Sequence, residues 1–275
     1  MNATPLVPKP PRVMGIVNAT PDSFSDGGRF LDSDVALTHA WRLVSEGADI
    51  LDLGAESTRP GAQPVPAEIE IERLVPLIDR LRTLSDVPIS VDTMKPEVAR
   101  AAMAAGATIW NDVTALRHAP DSLETAAELG CDVVLMHMQG EPRSMQVEPH
   151  YDDVVGEVAA FLAARAEAAV AAGVAADRIW LDPGVGFGKH MIRHNLPLMA
   201  GLDRIVALGF PVLLGASRKS FIGALDGGAA ADARLGGSIA AALAGAAAGV
   251  RAVRVHDVRE TAQALKIWAA IGDAG

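Results

Sequence analysis

Acidic and amide side chains that directly follow apolar runs are the first sign of chemistry in this sequence. Asp182 opens the stretch DPGVGFGK, and Asp92 and Asn111 end two earlier runs. An ionised carboxylate only accepts hydrogen bonds, so it suits a pair of N–H donors on an amino-pyrimidine-like ring. The glycines after Asp182 match neither the P-loop spacing nor the dinucleotide fingerprint. We therefore predict that these three residues bind a nitrogen heterocycle.

Cationic groups follow the last two apolar runs. The stretch SRKSFIG places Lys219 and Ser220 where a helix is predicted to begin, and free backbone N–H groups at such a position suit a carboxylate or phosphate. Arg254 and His256 alternate along the final run, so both project to one side, where Arg59 can join them on a second anion. The pattern indicates a ring site flanked by two anion sites.

Polar residues also end the other apolar runs, and for any one of them a loop contact or a helix cap is the simpler explanation. A repeated set around one rim favours a ligand site instead, because buried polar groups cost stability unless they find partners. These further residues are Asn18, Glu56, Thr58, Asp112, His137 and Asp257.

Two long segments rich in Gly, Pro and small polar residues lie among these groups. They are NATPDSFSDGGRF, residues 18–30, and ESTRPGAQPVP, residues 56–66. We expect both to be mobile and to close over a substrate, with Phe24 or Pro60 as apolar cover that excludes water. An ordinary surface excursion explains either segment equally well.

The elements that position these groups follow from an eightfold alternation of short apolar runs with segments of helical periodicity, typical of a parallel sheet covered by helices. Eight βα units without a linker favour a single-domain (β/α)8 TIM barrel, residues 12–275 after an N-terminal tail of residues 1–11, over an open doubly wound sheet. In such a barrel the loops after the strands carry the chemistry. The predicted strands are 12–19, 48–54, 88–92, 108–113, 132–138, 179–182, 211–216 and 252–256.

Two of the predicted helices have distinctive patterns. The Ala-rich segment 151–172 is expected to be the longest helix, ended by Gly173 in a left-handed conformation. Another helix follows the second strand, with Glu70 on its polar side and Pro76 expected to kink it or to remove one hydrogen bond. Its apolar face is formed by Ile71, Leu74, Val75, Ile78 and Leu81.

Composition narrows the possible functions. Half of the 275 residues are apolar and 21% are charged, which is enough for a sizeable core, and the net charge of −10 disfavours nucleic acid as a partner. The first twelve residues lack the apolar core of a signal peptide, and no apolar stretch is long enough to span a bilayer. We expect a cytoplasmic protein whose single Cys131 is a buried structural thiol.

With these motifs in order, the sequence resembles the dihydropteroate synthase family of pterin-binding enzymes. The resemblance runs from Arg12 to about Ile271 through NATPDSFSDGG, GAESTRPGA, VDT, WNDV, DPGVGFGK, SRKS and RVHDV. It implies a transferase of folate biosynthesis, usually a homodimer, that requires Mg²⁺. The implied reaction joins 6-hydroxymethyl-7,8-dihydropterin diphosphate to p-aminobenzoate and yields 7,8-dihydropteroate and diphosphate.

The resemblance also implies roles for individual residues. The pterin would be held by Asp92, Asn111, Asp182 and Lys219, with Met138, Phe187 and Gly215 as further pocket residues. Diphosphate oxygens would be bound by Thr58, Arg59, Arg254 and His256. Asn18 would lie beside the Mg²⁺, and Ser220 with its helix start would receive the p-aminobenzoate carboxylate.

The implied mechanism needs no protein nucleophile. The bond to diphosphate breaks early and leaves a cationic methylene conjugated with the pterin, which the aromatic amine then attacks. The metal and cationic side chains stabilise the leaving charge, while the pterin-binding carboxylates oppose the charge on the ring. The residues implied to carry this catalysis are Asp92, Asp182, Lys219 and Arg254.

Two other functions fit much of the sequence. A methyltransferase that passes a methyl group from methyltetrahydrofolate to a corrinoid protein shares the barrel and the pterin pocket, but it does not need NATPDSFSDGG, TRPG or SRKS. A non-catalytic paralogue that serves as a binding or dimer partner could retain most of the motifs, and a turnover measurement would separate it from the synthase.

Overall fold

The computed structural model describes residues 9–19, 29–56, 64–140 and 145–274, apart from the side chains of residues 29–33. Within these ranges eight parallel strands form one sheet. They are β1 (Arg12–Asn18), β2 (Ile50–Gly54), β3 (Ile89–Asp92), β4 (Ile109–Asp112), β5 (Asp132–Met136), β6 (Ile179–Asp182), β7 (Leu213–Leu214) and β8 (Ala252–Val255). Their order is β6-β5-β4-β3-β2-β1-β8-β7, so β1 pairs with both β2 and β8, as a barrel requires.

The sheet closes into a barrel at a seam between β6 and β7. An isolated bridge joins Leu181 to Val212, and the backbone nitrogen of Leu181 donates to the carbonyl of Pro211 at 2.9 Å. The predicted barrel is therefore confirmed, but β7 has two residues instead of the expected six. Pro211 has no N–H to donate, and the chain leaves the sheet again at Gly215.

The other strands keep their predicted positions to within two residues at each end. Their inward side chains form an apolar layer near the amino-terminal end of the barrel. This layer is formed by Met14, Ile50, Ile109, Val134, Trp180, Leu213 and Ala252. Because apolar side chains fill this end, most inward polar residues lie nearer the carboxyl ends of the strands.

Helices surround the strands. Those in the described ranges are α1 (Arg29–Ser45), α2 (Ala67–Leu84), α3 (Pro96–Ala104), α4 (Ser122–Leu129), α5 (Val154–Ala171), α6 (Asn195–Ala200), α7 (Leu202–Val206), α8 (Ser220–Leu225), α9 (Leu235–Ala248) and α10 (Val258–Asp273). One helix per strand was expected, but two helices follow each of β6 and β7. Gly201 separates α6 from α7. No helix in these ranges is long and apolar enough to cross a membrane.

Helix α5 begins three residues later than predicted because Asp153 caps it. The Asp153 carboxylate accepts from the backbone nitrogen of Gly156 at 3.0 Å, and Glu157 accepts from the backbone nitrogen of Asp153 at 3.0 Å. The helix ends as expected, before Gly173 with φ of +107°. It is not the longest helix, since α2 also has 18 residues.

Helix α2 buries Leu74, Ile78 and Leu81 as predicted and continues through Pro76. The assignment of Glu70 to its polar side was wrong, because this side chain is fully buried. Lys95 donates to one carboxylate oxygen of Glu70 and Thr93 donates to the other at 3.1 Å. A buried carboxylate is tolerated here because both of its oxygens have partners.

Candidate active site

The strand register brings the predicted heterocycle-binding residues together. Asp92 of β3 lies beside Asn111 of β4 on one side and Gly54 of β2 on the other. A Cβ on Gly54 would lie 3.6 Å from the Cβ of Asp92, which is an ordinary van der Waals contact. These residues form one part of a polar layer at the carboxyl end of the barrel.

Arg254 occupies the centre of this layer between two carboxylates. Its Nε donates to Asp52 Oδ2 at 2.6 Å, and its Nη2 donates to Asp92 Oδ2 at 2.8 Å. Burial alone would lower the pKa of Arg254, but Asp52 and Asp92 reverse this effect and raise it. The guanidinium therefore stays charged.

Asp92 has an unusual proton affinity for a carboxyl group. Burial raises its pKa to about 7; Arg254 opposes this change, and the neighbouring Asp52 adds to it. A carboxylate that is poorly solvated and only partly compensated has a strong tendency to bind hydrogen-bond donors. Such a group is typical of a ligand site rather than of a surface ion pair.

Asp182 ends β6, and its two oxygens have different surroundings. Oδ1 accepts from the backbone nitrogen of Gly184 at 2.7 Å. Oδ2 lies 3.7 Å from the position that a Cβ on Gly215 would occupy, so this glycine is beside Oδ2. Burial raises the pKa of Asp182, while the Gly184 hydrogen bond and Lys219 act against it.

Lys219 faces these carboxylates from the loop after β7. Burial lowers its pKa to about 8, and Arg254 acts in the same direction, against Asp182 and Asp92. Its ammonium lies 4.1 Å from the centre of the Phe187 ring, within the range of a cation–π contact. Lys219 is thus a cation held beside an aromatic face instead of in water.

An apolar wall adjoins the polar layer. Met138 is buried in a cluster with Val113, Met136 and Met145, and Phe187 packs against this cluster. Apolar walls with a few convergent polar groups are typical of small-molecule sites. The structure thus brings together the pocket residues Met138, Phe187 and Gly215 with the four pterin-binding candidates.

The remaining predicted binding residues lie at the rim. Ser220 is exposed and begins α8. His256 follows β8, and its Nδ1 lies 3.1 Å from the Ser217 hydroxyl. Burial, and after it the nearby Arg254, lower the pKa of His256 to about 4. His256 is therefore neutral at neutral pH and offers a hydrogen bond instead of a charge to an anion.

A family model described as pterin binding enzyme matches residues 14–256. The chain belongs to this family.

Relatives within the pterin-binding family cover nearly the whole chain. The dihydropteroate synthase of Neisseria meningitidis serogroup C is 51% identical over 267 residues, which are 95% of this chain and 93% of that protein. The Escherichia coli K12 dihydropteroate synthase is 46% identical over 257 residues, or 94% and 90% of the two chains. The predicted family is therefore confirmed.

Solved structures of the family agree with the fold. Xanthomonas albilineans dihydropteroate synthase with 4-aminobenzoic acid superposes with a TM-score of 0.89 at 52% identity, covering 95% of this chain and 93% of the other. The same enzyme in complex with 7,8-dihydropteroate gives a TM-score of 0.85 at 49% identity, with the same coverage.

The structure does not describe some of the residues to which the resemblance to pterin-binding enzymes assigns roles. Thr58 and Arg59 lie outside the described residues, as does most of the segment 18–30. Asn18 is described and ends β1, where its side chain is half-buried. The predicted roles of the first two residues remain predictions.

Several other polar residues at the strand ends make loop contacts, which was the simpler explanation considered from the sequence. Asp112 accepts from the backbone nitrogens of Thr114 at 2.7 Å and Leu116 at 2.8 Å, so it shapes the loop after β4. Asp257 pairs with Arg218. Glu56 binds Lys95 and also accepts from the backbone nitrogen of Val65 at 3.2 Å. These carboxylates fix loops around the site.

Two important residues of the site were missed in the sequence. Asp52 lies inside β2 instead of at its end, and Lys189 closes DPGVGFGK as an apparent surface lysine. Lys189 is 1% exposed, and its Nζ lies 2.9 Å from His137 Nδ1 and 2.9 Å from the Gly184 carbonyl. Asp52 could have been noticed as a carboxylate in the otherwise apolar strand ILDLG. It is two residues before Gly54 and therefore on the same face of the strand.

Proposed function

We propose that this chain is a dihydropteroate synthase, which condenses 6-hydroxymethyl-7,8-dihydropterin diphosphate with p-aminobenzoate in folate biosynthesis. The observation that carries the proposal is the convergence of two poorly solvated carboxylates, Asp92 and Asp182, with Lys219 and Arg254 at the carboxyl end of the barrel. Relatives crystallised with 4-aminobenzoic acid and with 7,8-dihydropteroate match this chain over 95% of its length.

The pterin is bound through complementary hydrogen bonds. Asp182 and Asp92 accept from ring N–H and amino groups, and Asn111 adds an amide beside Asp92. Lys219 donates to acceptor atoms on the opposite edge of the ring. Met138 and Phe187 cover the apolar parts of the ring, and the space beside Gly215 admits its edge next to Asp182.

The chain's own residues then favour loss of diphosphate. The bond between the methylene carbon and the diphosphate oxygen breaks with its electron pair on the leaving group, and positive charge spreads into the pterin. Asp92 and Asp182 stabilise this charge electrostatically, because both are held in a poorly solvated site. The fixed charge of Arg254, with a neutral His256 just after the end of β8, favours the departing anion.

The aromatic amine completes the reaction. Its nitrogen lone pair forms the new carbon–nitrogen bond, and the nitrogen releases one proton to solvent. Ser220, exposed at the start of α8, is suited to bind the p-aminobenzoate carboxylate through its hydroxyl and backbone N–H. Thr58 and Arg59 are proposed to bind diphosphate from the loop after β2.

Magnesium fits this site as a partner of the substrate. The amide oxygen of Asn18 is a hard ligand, and Mg²⁺ commonly takes one or two protein oxygens together with water and substrate phosphates. Among the described residues no group of three or more His, Cys, Asp or Glu side chains forms a metal site. We propose that Asn18 and diphosphate oxygens hold Mg²⁺, which when bound neutralises charge on the leaving group.

The function is tested by diphosphate release from purified protein with the dihydropterin diphosphate, Mg²⁺ and p-aminobenzoate, omitting each component in turn. Release that depends on the amine, with 7,8-dihydropteroate formed, is the expected result. Tight pterin binding without turnover would contradict the synthase activity and favour the non-catalytic paralogue. Methyl transfer to a corrinoid protein would favour the methyltransferase instead.

We further propose a cytoplasmic homodimer. A groove of about 510 Å³ between α6, α8 and α9 exposes apolar side chains, among them Leu225 at 59% exposure, that a second copy would cover. Size-exclusion chromatography with light scattering tests this, with Leu225→Asp expected to favour the monomer. A wild-type monomer at micromolar concentration would contradict the dimer.

A further inference from the structure

Asp52 is a hydrogen-bonding centre beneath the candidate site. It is fully buried, and its two oxygens receive donors from three other strands. Arg254 Nε donates to Oδ2 at 2.6 Å, Ser90 Oγ donates to Oδ1 at 2.6 Å, and Asn111 Nδ2 lies 3.3 and 3.4 Å from the two oxygens. No other carboxylate in the described residues joins two of the predicted substrate-binding side chains.

This geometry restricts both neighbours. The planar guanidinium of Arg254 is held at two of its nitrogens, with Asp52 on Nε and Asp92 on Nη2, so its plane cannot rotate without breaking an ion pair. One amide hydrogen of Asn111 is directed to Asp52, so the amide has a preferred orientation. Both groups then meet a ligand without first having to be ordered.

We propose that Asp52 is a positioning residue for the pterin and diphosphate chemistry, acting through Arg254 and Asn111. The proposal rests on the proposed function. Asp52 is inaccessible to a substrate, so any effect on turnover must pass through the side chains that it holds. Misplacing a catalytic group by about 1 Å can cost about 100-fold in rate, which is why an untouched residue can matter.

The decisive experiment is a double-mutant cycle with Asp52→Asn, Arg254→Gln and the double variant. Asparagine keeps the shape of the side chain but removes its charge. We expect Asp52→Asn to lower kcat/KM for the pterin substrate by about 10- to 100-fold. We expect the double variant to fall within about threefold of Arg254→Gln alone, because only the longer contacts of Asp52 to Asn111, at 3.3 and 3.4 Å, then remain.

Ser90→Ala is the matched control. It removes a hydrogen bond to the same carboxylate but leaves the Arg254 ion pair, so kcat/KM should change by less than about threefold. Two outcomes would overturn the proposal: a folded Asp52→Asn enzyme with wild-type kcat/KM, or a double variant whose loss equals the product of the two single losses. The second outcome would mean that Asp52 does not act through Arg254.

A measurement on the wild-type protein covers the case in which Asp52→Asn does not fold. In a ¹⁵N-arginine-labelled sample, the Nε–H resonance of Arg254, assigned by its loss in Arg254→Gln, should exchange slowly with water. Rapid exchange would show that Asp52 does not hold the Arg254 Nε–H. This exchange measurement does not depend on turnover. It therefore tests the role of Asp52 even if the proposed function is wrong.

Discussion

The ammonium of Lys219 lies 4.1 Å from the centre of the Phe187 ring, and this contact joins the loop after β7 to the loop after β6. The aromatic face partly replaces the water that a surface lysine would have, while Asp182 and Asp92 lie near enough to raise its pKa against the larger effect of burial. We therefore expect a ligand to take the place of some of the interactions that Lys219 makes with Phe187, Asp182 and Asp92.

The proton affinities of Asp92 and Lys219 predict a bell-shaped pH profile. Asp92 is ionised above a pKa of about 7, and Lys219 is charged below a pKa of about 8. Because kcat/KM reports the free enzyme, it should fall on the acid side as Asp92 is protonated and on the alkaline side as Lys219 is deprotonated. Initial rates at subsaturating pterin substrate between pH 5.5 and about 10 measure both limbs.

Variants separate the two limbs. Asp92→Asn should abolish the acid limb at a reduced overall rate, and Lys219→Arg should move the alkaline limb beyond the accessible range, because a guanidinium does not titrate there. An acid limb that persists in Asp92→Asn would assign it to another group.

Asp182→Asn should separate binding from stability. The amide keeps an oxygen for the Gly184 backbone nitrogen but loses the charge that accepts the pterin N–H groups, so affinity for 7,8-dihydropteroate should fall by about 100-fold or more. Since burial raises the pKa of Asp182, the folded state carries an unfavourable charge above that pKa. At pH 8 the variant should be at least as stable as the wild type, with less advantage as the pH falls.

Calorimetric titration and thermal unfolding test this pair of effects. Asp132→Asn, at the opposite end of the barrel where Asp132 pairs with Arg178 at 3.4 Å, is the control and should leave affinity unchanged. Full affinity in Asp182→Asn would remove this residue from the site.

Lys189→Met should destabilise the protein in a pH-dependent way. The substitution leaves the carbonyls of Gly184 and Phe187 without this donor, at a cost of about 2–4 kcal/mol near pH 9.5. Burial lowers the pKa of Lys189 to about 7, so wild-type stability decreases as the pH falls from about 10.5 to 7. The difference between the two proteins should therefore shrink by about 3 kcal/mol at pH 6.5.

Urea unfolding at the two pH values measures this change. Lys266→Met, at an exposed position of α10, is the control and should be nearly neutral at both. A stability difference that does not depend on pH would show that Lys189 titrates normally in the folded state.

Gly184→Ala should be far more damaging than Gly209→Ala. Both glycines have positive φ, +66° and +87°, so both substitutions carry backbone strain of about 1 kcal/mol. A Cβ at Gly184 would lie 1.9 Å from the His137 carbonyl oxygen, whereas a Cβ at Gly209 would project into open space. We expect a loss above about 3 kcal/mol, or no folded protein, only for Gly184→Ala. Equal losses in chemical unfolding would contradict this steric argument.

Much of the barrel could be predicted because a buried parallel strand has a local signature. Each apolar run ends where a polar residue meets the rim, so Asp92, Asn111 and Asp182 marked both strand ends and candidate site residues. The short β7 was missed because pairing depends on neighbouring strands, and Gly215 looks like a strand residue in sequence alone.

The deeper layer of the site was harder to predict because its partners are far apart in sequence. Arg254 and Asp52 are 202 residues apart, and Lys189 and His137 are 52 apart. Charge alone makes Glu70 and Lys189 look like surface residues, and only the folded chain supplies the partners that allow their burial. Rim residues were predicted from local pattern, but the residues that orient them were not.

The narrow closure between β6 and β7 has a consequence for substrate binding. Asp182 ends one of these strands and Lys219 follows the other, so a pterin bound by both, as proposed, would span the seam between β6 and β7. The bound ring would add contacts between two strands that are joined there by an isolated bridge. Bound pterin should therefore protect the backbone amides on both sides of this seam from hydrogen exchange.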